Sequence, residues 1–339
     1  MLIAKKNNNL PLRFAMIGNG SWATALTKVL LTVQPNLQWY VRNIDMIKHI
    51  EKYHRNPEFL RSAQLDASKL EMSDNINEVI AKADVLVFCI PSAFLKGELE
   101  KYTGNFDNKF IVSAIKGIVP EDNMTVAEYF NRKYKIPYDK IGTITGPCHA
   151  EEVALERLSY LTFSCKRKEN AECLAGNFAC NYIKTLSGTD IYGVEYAAIL
   201  KNIYAITVGI CHSLGYGDNF LAVLVTNAQA EMKRFLNNTY PSAARDTAQS
   251  SYLGDLLVTC YSQFSRNRTF GAMIGKGYSV TSAQAEMSMI AEGYYACKSI
   301  HHINMVHRVN MSIAEATYRI LYENASPAAE MKLLTDTLQ

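Results

Sequence analysis

The sequence lacks the features by which several classes of protein are recognised. None of its apolar stretches is long enough to span a bilayer, because the longest, residues 199–214, contains Lys201, Asn202 and His212. Residues 1–9 include two lysines and three asparagines and lack the apolar core of a signal peptide. The net charge is only +3 and no basic block is present, which gives no support to nucleic-acid binding but suits small anionic substrates. These absences predict a soluble, cytoplasmic protein with no nucleic-acid partner and no membrane insertion.

The cysteine pattern also excludes more than it offers. The eight cysteines contain no Cys-x-x-Cys pair and no zinc-ligand spacing, and several lie inside apolar strand or helix patterns. This usage predicts free thiols in a reducing compartment rather than disulfides, and it predicts no metal site.

The first half of the chain has the alternating pattern of an α/β domain. A length of 339 residues suggests two domains, and short β-rich runs alternate here with helical or loop stretches. Such alternation is typical of a parallel sheet with helices on both faces and with ligands beyond the carboxyl ends of the strands. We predict a Rossmann-like doubly wound domain over residues 1–188. Its predicted strands are residues 14–17, 37–41, 85–90, 110–114, 141–145, 160–164 and 182–186.

The second half of the chain contains helix signals and almost no convincing strand. We therefore predict an all-α substrate-binding domain over residues 189–339. Two helices near 195–214 and 218–236 are apolar nearly all round, which predicts that both are buried. Further helices are expected at 282–300 and 311–322, and fraying is expected over 325–339. The apolar helices can form a homodimer interface or only a core.

A glycine pattern after the first predicted strand indicates a dinucleotide site. Residues 14–17 lead into Gly18-x-Gly20-x-x-Ala23, and a helical pattern follows at once. Gly18 allows the tight turn, Gly20 lets a pyrophosphate approach the backbone, and the small Ala23 lets the helix pack closely on the strand. The helix N-terminus then directs free N–H groups at the phosphates. A glycine turn without a ligand is the alternative, and the strand–turn–helix context favours the cofactor.

Nine short blocks along the chain resemble one known family in content and order. They are residues 18–26, 90–92, 113–117, 146–150, 200–205, 215–219, 254–260, 265–271 and 291–293. In this order they resemble the NAD(P)-dependent glycerol-3-phosphate dehydrogenases of the bacterial type, over the whole chain. The resemblance implies reversible reduction of dihydroxyacetone phosphate to sn-glycerol 3-phosphate with NADPH or NADH, in support of phospholipid synthesis. It also implies that Ser21 and Trp22 contact the cofactor.

Lys201 is the strongest candidate for the catalytic residue. It is a lone cation in the apolar run 196–210. Burial of an ammonium is costly and lowers its pKa unless the group is paired, and a lysine tuned in this way can donate a proton to a carbonyl oxygen. From spacing alone, a lysine that reaches from a helix edge to water is equally acceptable. The resemblance implies the catalytic role.

The resemblance implies that three further residues complete the catalytic group around Lys201. Asp255 orients the lysine or accepts a hydrogen bond from a substrate hydroxyl, although on sequence alone it can be a helix N-cap. Thr259 follows four residues later and would share its helical face. Asn202, next to Lys201, is expected to position the lysine and the hydroxyls.

The remaining substrate candidates are cations and small residues at strand or helix ends. Lys116 follows a predicted strand, where it would face the ligand cleft, and the resemblance places it against substrate and cofactor. The resemblance assigns the substrate phosphate to Ser265, Arg266 and Asn267, with Arg266 also close to the cofactor; a guanidinium fork suits a phosphate. The resemblance assigns no definite role to Arg268, and a solvated charged turn is the alternative for this segment.

Other candidates follow from the resemblance at a further strand end and late in the chain. Gly146 and Cys148 are matched to substrate contacts, and Ala150 to the cofactor. The family usually has serine where Cys148 stands, and a thiol is the weaker hydrogen-bond partner. A nucleophilic cysteine is the alternative, but hydride transfer needs no covalent intermediate. Ile290 and Glu292 match late cofactor contacts.

Arg42 gives the only signal about the choice of cofactor. NAD-specific folds usually carry an acid near the end of the second strand, whereas this strand ends in Arg42-Asn43. An arginine can pair with a 2′-phosphate, which favours NADPH or use of both cofactors. Arg42 exposed to solvent is the alternative.

Two other functions remain compatible with the pattern of residues. A dehydrogenase of the 3-hydroxyacid or 6-phosphogluconate type shares the two-domain plan and a lysine in a long helix. A non-catalytic nucleotide-sensing scaffold would need only the glycine loop. The joint presence of Lys201, Asp255, Arg266 and Asn267 argues against a scaffold.

Overall fold

The computed structural model describes residues 12–287 and 289–339 and divides into two compact units. Unit 1 comprises Met1–Ile115 and Val126–Ile191, and unit 2 comprises Lys116–Thr125 and Tyr192–Gln339. Residues 1–9 lie outside the described residues. The boundary after residue 188 stays a prediction, while segment Lys116–Thr125 groups with the second unit.

Unit 1 contains one eight-stranded sheet, which confirms the Rossmann-like fold. The strand order is β3-β2-β1-β4-β5-β6-β7-β8. All neighbouring strands are parallel except β6 and β7, which are antiparallel. The strands are β1 (Phe14–Ile17), β2 (Leu37–Tyr40), β3 (Leu70–Ser73), β4 (Val85–Phe88), β5 (Phe110–Ser113), β6 (Ile141–Thr145), β7 (Ser159–Cys165) and β8 (Ile183–Gly188).

Burial explains which strands the sequence predicts. Every residue of β1, β2, β4 and β5 is buried, as expected for strands covered on both faces. Strand β3 was not predicted, because its sequence Leu-Glu-Met-Ser has no apolar run and it lies partly exposed at the edge of the sheet. In the register, Ile17 stands opposite Tyr40 on one side and Phe88 on the other.

The helices of unit 1 pack on the sheet and place the first glycine loop. Helix α1 begins directly after this loop and buries Ala23, Leu26 and Leu30. It lies against α6, where Lys28 Nζ donates to Ala154 O at 2.9 Å. The helices are α1 (Ser21–Val33), α2 (Ile44–Tyr53), α3 (Ile76–Lys82), α4 (Leu95–Leu99), α5 (Val126–Tyr134), α6 (Ala150–Ala154) and α7 (Lys168–Gly176).

Unit 2 is built from helices, as predicted. A five-residue π-helical turn, Ser250–Gly254, leads directly into the third of them. The helices are α8 (Ile191–Ser213), α9 (Asp218–Thr239), α10 (Asp255–Tyr261), α11 (Arg266–Gly275), α12 (Val280–Glu286), α13 (Glu292–His307), α14 (Ser312–Tyr322) and α15 (Pro327–Thr335).

Helix α8 is the central helix of unit 2. The expectation that no apolar stretch is long enough to span a bilayer is wrong for α8, because within the described part of the chain it alone has the length and apolar composition of a membrane span. Its apolar window is entirely buried in the protein. Helix α9 is different, because it buries one face with Leu221, Leu224 and Phe235 while Val223 is 42% exposed. The prediction that α9 is buried on all sides is therefore wrong: its buried residues recur at helical spacing, the pattern of an amphipathic helix.

Two helix predictions near the end of the chain are also wrong. The helix expected at 282–300 is divided into α12 and α13, because Met287 and Ala291 have extended backbone. The expected fraying after residue 325 is replaced by α15, which Ser326 caps and Pro327 begins. Burial of Met331 at 0% exposure holds α15 in place.

Candidate functional site

In the glycine loop of unit 1, a side chain at position 18 would collide with the neighbouring backbone. Gly18 adopts φ of +122°, and a Cβ at this position would lie 2.3 Å from Cys89 O. Both facts require glycine. Gly18 follows β1, which lies between β2 and β4. The strand order reverses between β1 and β4, and open α/β sheets bind ligands at such a point.

The start of α1 has the properties of a phosphate cradle. Gly20 is the N-cap of α1 and no side chain caps it. A Cβ on Gly20 would meet nothing within 4 Å, so space is open beside the backbone. Ser21 is buried as the first helical residue, and Trp22 packs partly buried against the core of unit 1. An open N-terminus with a positive dipole end fits the pyrophosphate of a dinucleotide.

Arg42 lies just after β2 and is paired in the structure. Its Nη1 is 3.3 Å from Glu98 Oε1, while half of its side chain (53%) stays exposed. Tyr40 also donates to Glu98, at 2.8 Å. Burial, together with the hydrogen bond to Glu98, raises the pKa of the Tyr40 hydroxyl. Glu98 is thus a buried carboxylate that holds both Tyr40 and Arg42, and the sequence spacing did not reveal it.

The segment after β6 is shaped by Gly146. This glycine has φ of +114°, and a Cβ there would lie 2.8 Å from Tyr160 O. The Cys148 thiol donates to Gly146 O at 3.2 Å, so the side chain closes the turn. Ala150 is the buried first residue of α6.

The catalytic candidates of unit 2 form one charged cluster. Lys201 on α8 is 4% exposed and Asp255 at the start of α10 is 1% exposed. Lys201 Nζ donates to Asp255 Oδ1 at 2.5 Å. Lys116 Nζ lies 3.5 Å from Asp255 Oδ2. One buried carboxylate therefore bridges two lysines, which holds both ammonium groups in place and compensates their desolvation.

Asn202 and Thr259 support this cluster through the backbone. Asn202 Nδ2 donates to Lys116 O at 2.8 Å, which ties Lys116 to α8. Thr259 Oγ1 donates to Asp255 O at 2.6 Å, one turn back in α10. In this structure both side chains position their neighbours. The π-helical turn ends at Gly254, the residue before Asp255, and such turns are frequent at functional sites.

Cys260 lies within electrostatic range of Lys201 and Arg268. Burial raises the pKa of the Cys260 thiol to about 12, although the two cations act in the opposite direction. Burial therefore favours the neutral thiol over the thiolate that a nucleophilic cysteine needs.

The predicted phosphate segment forms the first turn of α11. Ser265 caps this helix by accepting from Arg268 N at 3.3 Å. Asn267 Oδ1 accepts from Gly293 N at 2.9 Å. Arg266 is half-buried as the first helical residue. An arginine at the dipole end of a ten-residue helix suits a phosphate, whereas Arg268, two residues later, has a buried Nε without a hydrogen-bond partner among the described residues.

Two glycines allow α11 and α13 to pack directly against the backbone of α8. A Cβ on Gly271 would lie 2.0 Å from Ile206 O, and one on Gly293 would lie 2.5 Å from Asn202 O. Gly293 follows Glu292 at the start of α13, and Ile290 precedes this helix by two residues. The sequence pattern did not reveal these approaches, although a helical glycine often indicates close packing.

The predicted residues thus fall into two groups, one in each unit. Unit 1 carries the cofactor candidates at loops after β1, β2 and β6, which are Gly18, Gly20, Ser21, Trp22, Arg42 and Ala150, and it also carries the substrate candidates Gly146 and Cys148 after β6. Unit 2 carries the proton-transfer and substrate candidates on or beside α8, α10 and α11, which are Lys116, Lys201, Asn202, Asp255, Thr259, Ser265, Arg266 and Asn267. It also carries the cofactor candidates Ile290, which precedes α13, and Glu292, which begins it.

Comparison with known proteins finds the same family in both halves of the chain. Residues 13–171 match the family described as NAD-dependent glycerol-3-phosphate dehydrogenase N-terminus, and residues 190–332 match its C-terminus. The chain is 31% identical over 324 residues to glycerol-3-phosphate dehydrogenase (NAD(P)+) of Staphylococcus carnosus (strain TM300), covering 95% of this chain and 97% of the relative. Identity to the protein of that name in Staphylococcus aureus (strain N315) is 32% over 316 residues, covering 93% and 95%.

A solved structure shares the fold. The glycerol-3-phosphate dehydrogenase from Coxiella burnetii matches with a TM-score of 0.86 at 24% sequence identity, covering 96% of this chain and 98% of that one.

Proposed function

The chain belongs to the family of NAD(P)-dependent glycerol-3-phosphate dehydrogenases, and from that membership we propose that it reduces dihydroxyacetone phosphate to sn-glycerol 3-phosphate. The balanced reaction consumes one NADPH or NADH and one proton, and it is reversible. Its product is a precursor of glycerophospholipids. The observation that carries the proposal is the buried Lys201–Asp255 pair at 2.5 Å, with Lys116 on the second carboxylate oxygen.

Lys201 acts in this mechanism as the proton donor. A nicotinamide cofactor supplies the hydride when it is bound. The ammonium of Lys201 delivers its proton to the oxygen of the reacting carbonyl as negative charge develops there, and it takes the proton back in the reverse direction. Asp255 keeps the ammonium charged and fixed in direction, because its carboxylate lies at hydrogen-bond distance.

The substrate phosphate is held by cations away from the reacting carbon. Arg266 and Asn267, at the start of α11, bind the phosphate oxygens, with Ser265 forming the cap of that helix. Lys116 adds a second positive charge. Binding energy from this phosphate orients the carbonyl next to Lys201, and such orientation lowers the barrier of the chemical step.

The cofactor is bound by residues of unit 1. Gly18, Gly20, Ser21 and Trp22 form the pyrophosphate loop, and Ala150 contributes from α6. The resemblance matches Ile290, which precedes α13, and Glu292, which begins it, to further cofactor contacts. The open space beside Gly20 supports this assignment.

We also propose that the protein works in the cytoplasm without inserting into a membrane. The apolar window of helix α8, which has the composition of a membrane span, is entirely buried. Its apolar character is thereby explained by the core of unit 2.

Initial-rate kinetics test the proposed reaction. The purified chain is expected to oxidise NADPH or NADH when dihydroxyacetone phosphate is added, and to show no comparable rate with 3-hydroxyacids or 6-phosphogluconate. Absence of turnover with dihydroxyacetone phosphate would contradict the proposal. Turnover of a hydroxyacid would instead support the second type of dehydrogenase, and cofactor binding without any turnover would support a scaffold.

The choice of cofactor is tested at Arg42. Replacing Arg42 by glutamine is expected to raise the KM for NADPH by about tenfold, because a charge-assisted contact to the 2′-phosphate is lost. The KM for NADH, which has no such phosphate, should change less than twofold. Lys52→Gln, which removes the same charge from the last turn of α2, is the matched control. Equal changes for both cofactors would assign Arg42 to the structural pair with Glu98.

A further inference from the structure

Asn56 occupies a buried position beside the glycine loop with all of its hydrogen-bonding groups in use. Its side chain is 0% exposed. The amide Nδ2 donates to Asn19 O at 3.0 Å and to Thr24 Oγ1 at 2.9 Å. The Oδ1 atom accepts from Glu58 N and Phe59 N, both at 3.0 Å. Four bonds saturate an asparagine side chain, so Asn56 is fixed in a single orientation.

Trp39 holds the preceding peptide of the same loop. This indole is 0% exposed, and its Nε1 donates to Gly18 O at 2.6 Å. Two successive carbonyl groups, those of Gly18 and Asn19, therefore point into the interior of unit 1. Both donors come from outside the loop, one from β2 and one from the segment after α2.

The direction of these carbonyl groups fixes the direction of the next N–H groups. In a trans peptide the C=O and the following N–H point in opposite directions, and the described residues contain no cis peptide bond. The N–H groups of Asn19 and Gly20 are consequently directed away from Trp39 and Asn56. Neither N–H donates a hydrogen bond within the described residues. Successive outward N–H groups form an anion-binding concavity.

We infer that Asn56 and Trp39 are positioning residues for the cofactor pyrophosphate, which they set up by holding the Gly18 and Asn19 carbonyls inward. This inference rests on the proposed function, because it takes the dinucleotide as the ligand. It predicts that cofactor affinity depends on a residue that touches neither cofactor nor substrate. The Thr24 hydroxyl extends the arrangement, because it accepts from Asn56 and donates to Gly20 O at 3.0 Å.

The test measures binding directly rather than turnover. Asn56→Ala is expected to raise the Kd for NADPH, measured by NADPH fluorescence, by about tenfold or more. A tenfold change in Kd corresponds to about 1.4 kcal/mol. ADP, which carries the adenosine and the two phosphates without the nicotinamide nucleoside, should lose affinity by a similar factor in competition. The kcat at saturating NADPH and the KM for dihydroxyacetone phosphate should stay within about twofold, a division that general destabilisation does not produce.

Two further variants keep the result interpretable. Trp39→Phe removes only the Nε1 donor and should also weaken NADPH and ADP; it replaces Asn56→Ala if that variant does not fold. Asn75→Ala removes a helix cap elsewhere in unit 1 and should leave both Kd values unchanged. An NADPH Kd within twofold of the wild type in a folded Asn56 or Trp39 variant overturns the inference. If the wild type binds NADPH but does not reduce dihydroxyacetone phosphate, the proposed substrate is wrong. The inference about Asn56 and Trp39 is then still decided by comparing the Kd values.

Discussion

Lys201→Ala is expected to lower kcat for dihydroxyacetone phosphate reduction by about a thousandfold, within the range usual for loss of a positioned general acid. The alanine cannot deliver a proton, so the developing alkoxide must take one from water. The pair at 2.5 Å between Lys201 Nζ and Asp255 Oδ1 is the physical basis of this expectation. Stopped-flow measurement of NADPH oxidation in single turnovers separates the chemical step from product release.

Cofactor binding provides the internal control for the Lys201 variant. Lys201 is not among the residues matched to the cofactor, so the Kd for NADPH should remain within about twofold of the wild type. Lys233→Ala removes an exposed lysine from α9 and should retain full turnover. A kcat close to that of the wild type in Lys201→Ala would remove this residue from the mechanism.

The sequence predicts the nucleotide loop well because its constraint is local. The tight turn at Gly18, the open approach at Gly20 and the helix after them all lie within a few residues. Their physical requirements are visible as glycine spacing between an apolar run and a helical pattern. Strand β3 was missed for the converse reason, since an edge strand that is partly exposed does not need an apolar run.

The candidate site in unit 2 could be predicted only in part. The burial of Lys201 was expected from its apolar surroundings in the helix, but pairing with Asp255 joins residues 54 positions apart. No spacing rule indicates such a contact. Long-range packing also explains why Gly293 and Asn56 were missed: one is required by the carbonyl of Asn202 and the other by the carbonyl of Asn19.

Asp255→Asn is expected to damage both stability and catalysis, although asparagine has nearly the same shape. The substitution removes the negative charge that contacts Lys201 at 2.5 Å and Lys116 at 3.5 Å. A buried ammonium that loses its counter-charge typically costs about 3–5 kcal/mol. We expect the free energy of unfolding, measured with urea, to fall by about that amount. The kcat should fall by about a hundredfold or more, because the proton donor is no longer held.

Comparison of single and double variants separates the lost charge from the lost hydrogen bond. If the uncompensated ammonium causes the destabilisation, adding Lys201→Met to Asp255→Asn should recover part of the unfolding free energy, because no buried charge then remains at that position. Asp218→Asn makes the same chemical change at the exposed first residue of α9 and should be neutral. Losses that simply add in the double variant would mean that the two side chains contribute independently. The Lys201–Asp255 pair would then not be the electrostatic unit on which the proposed proton transfer depends.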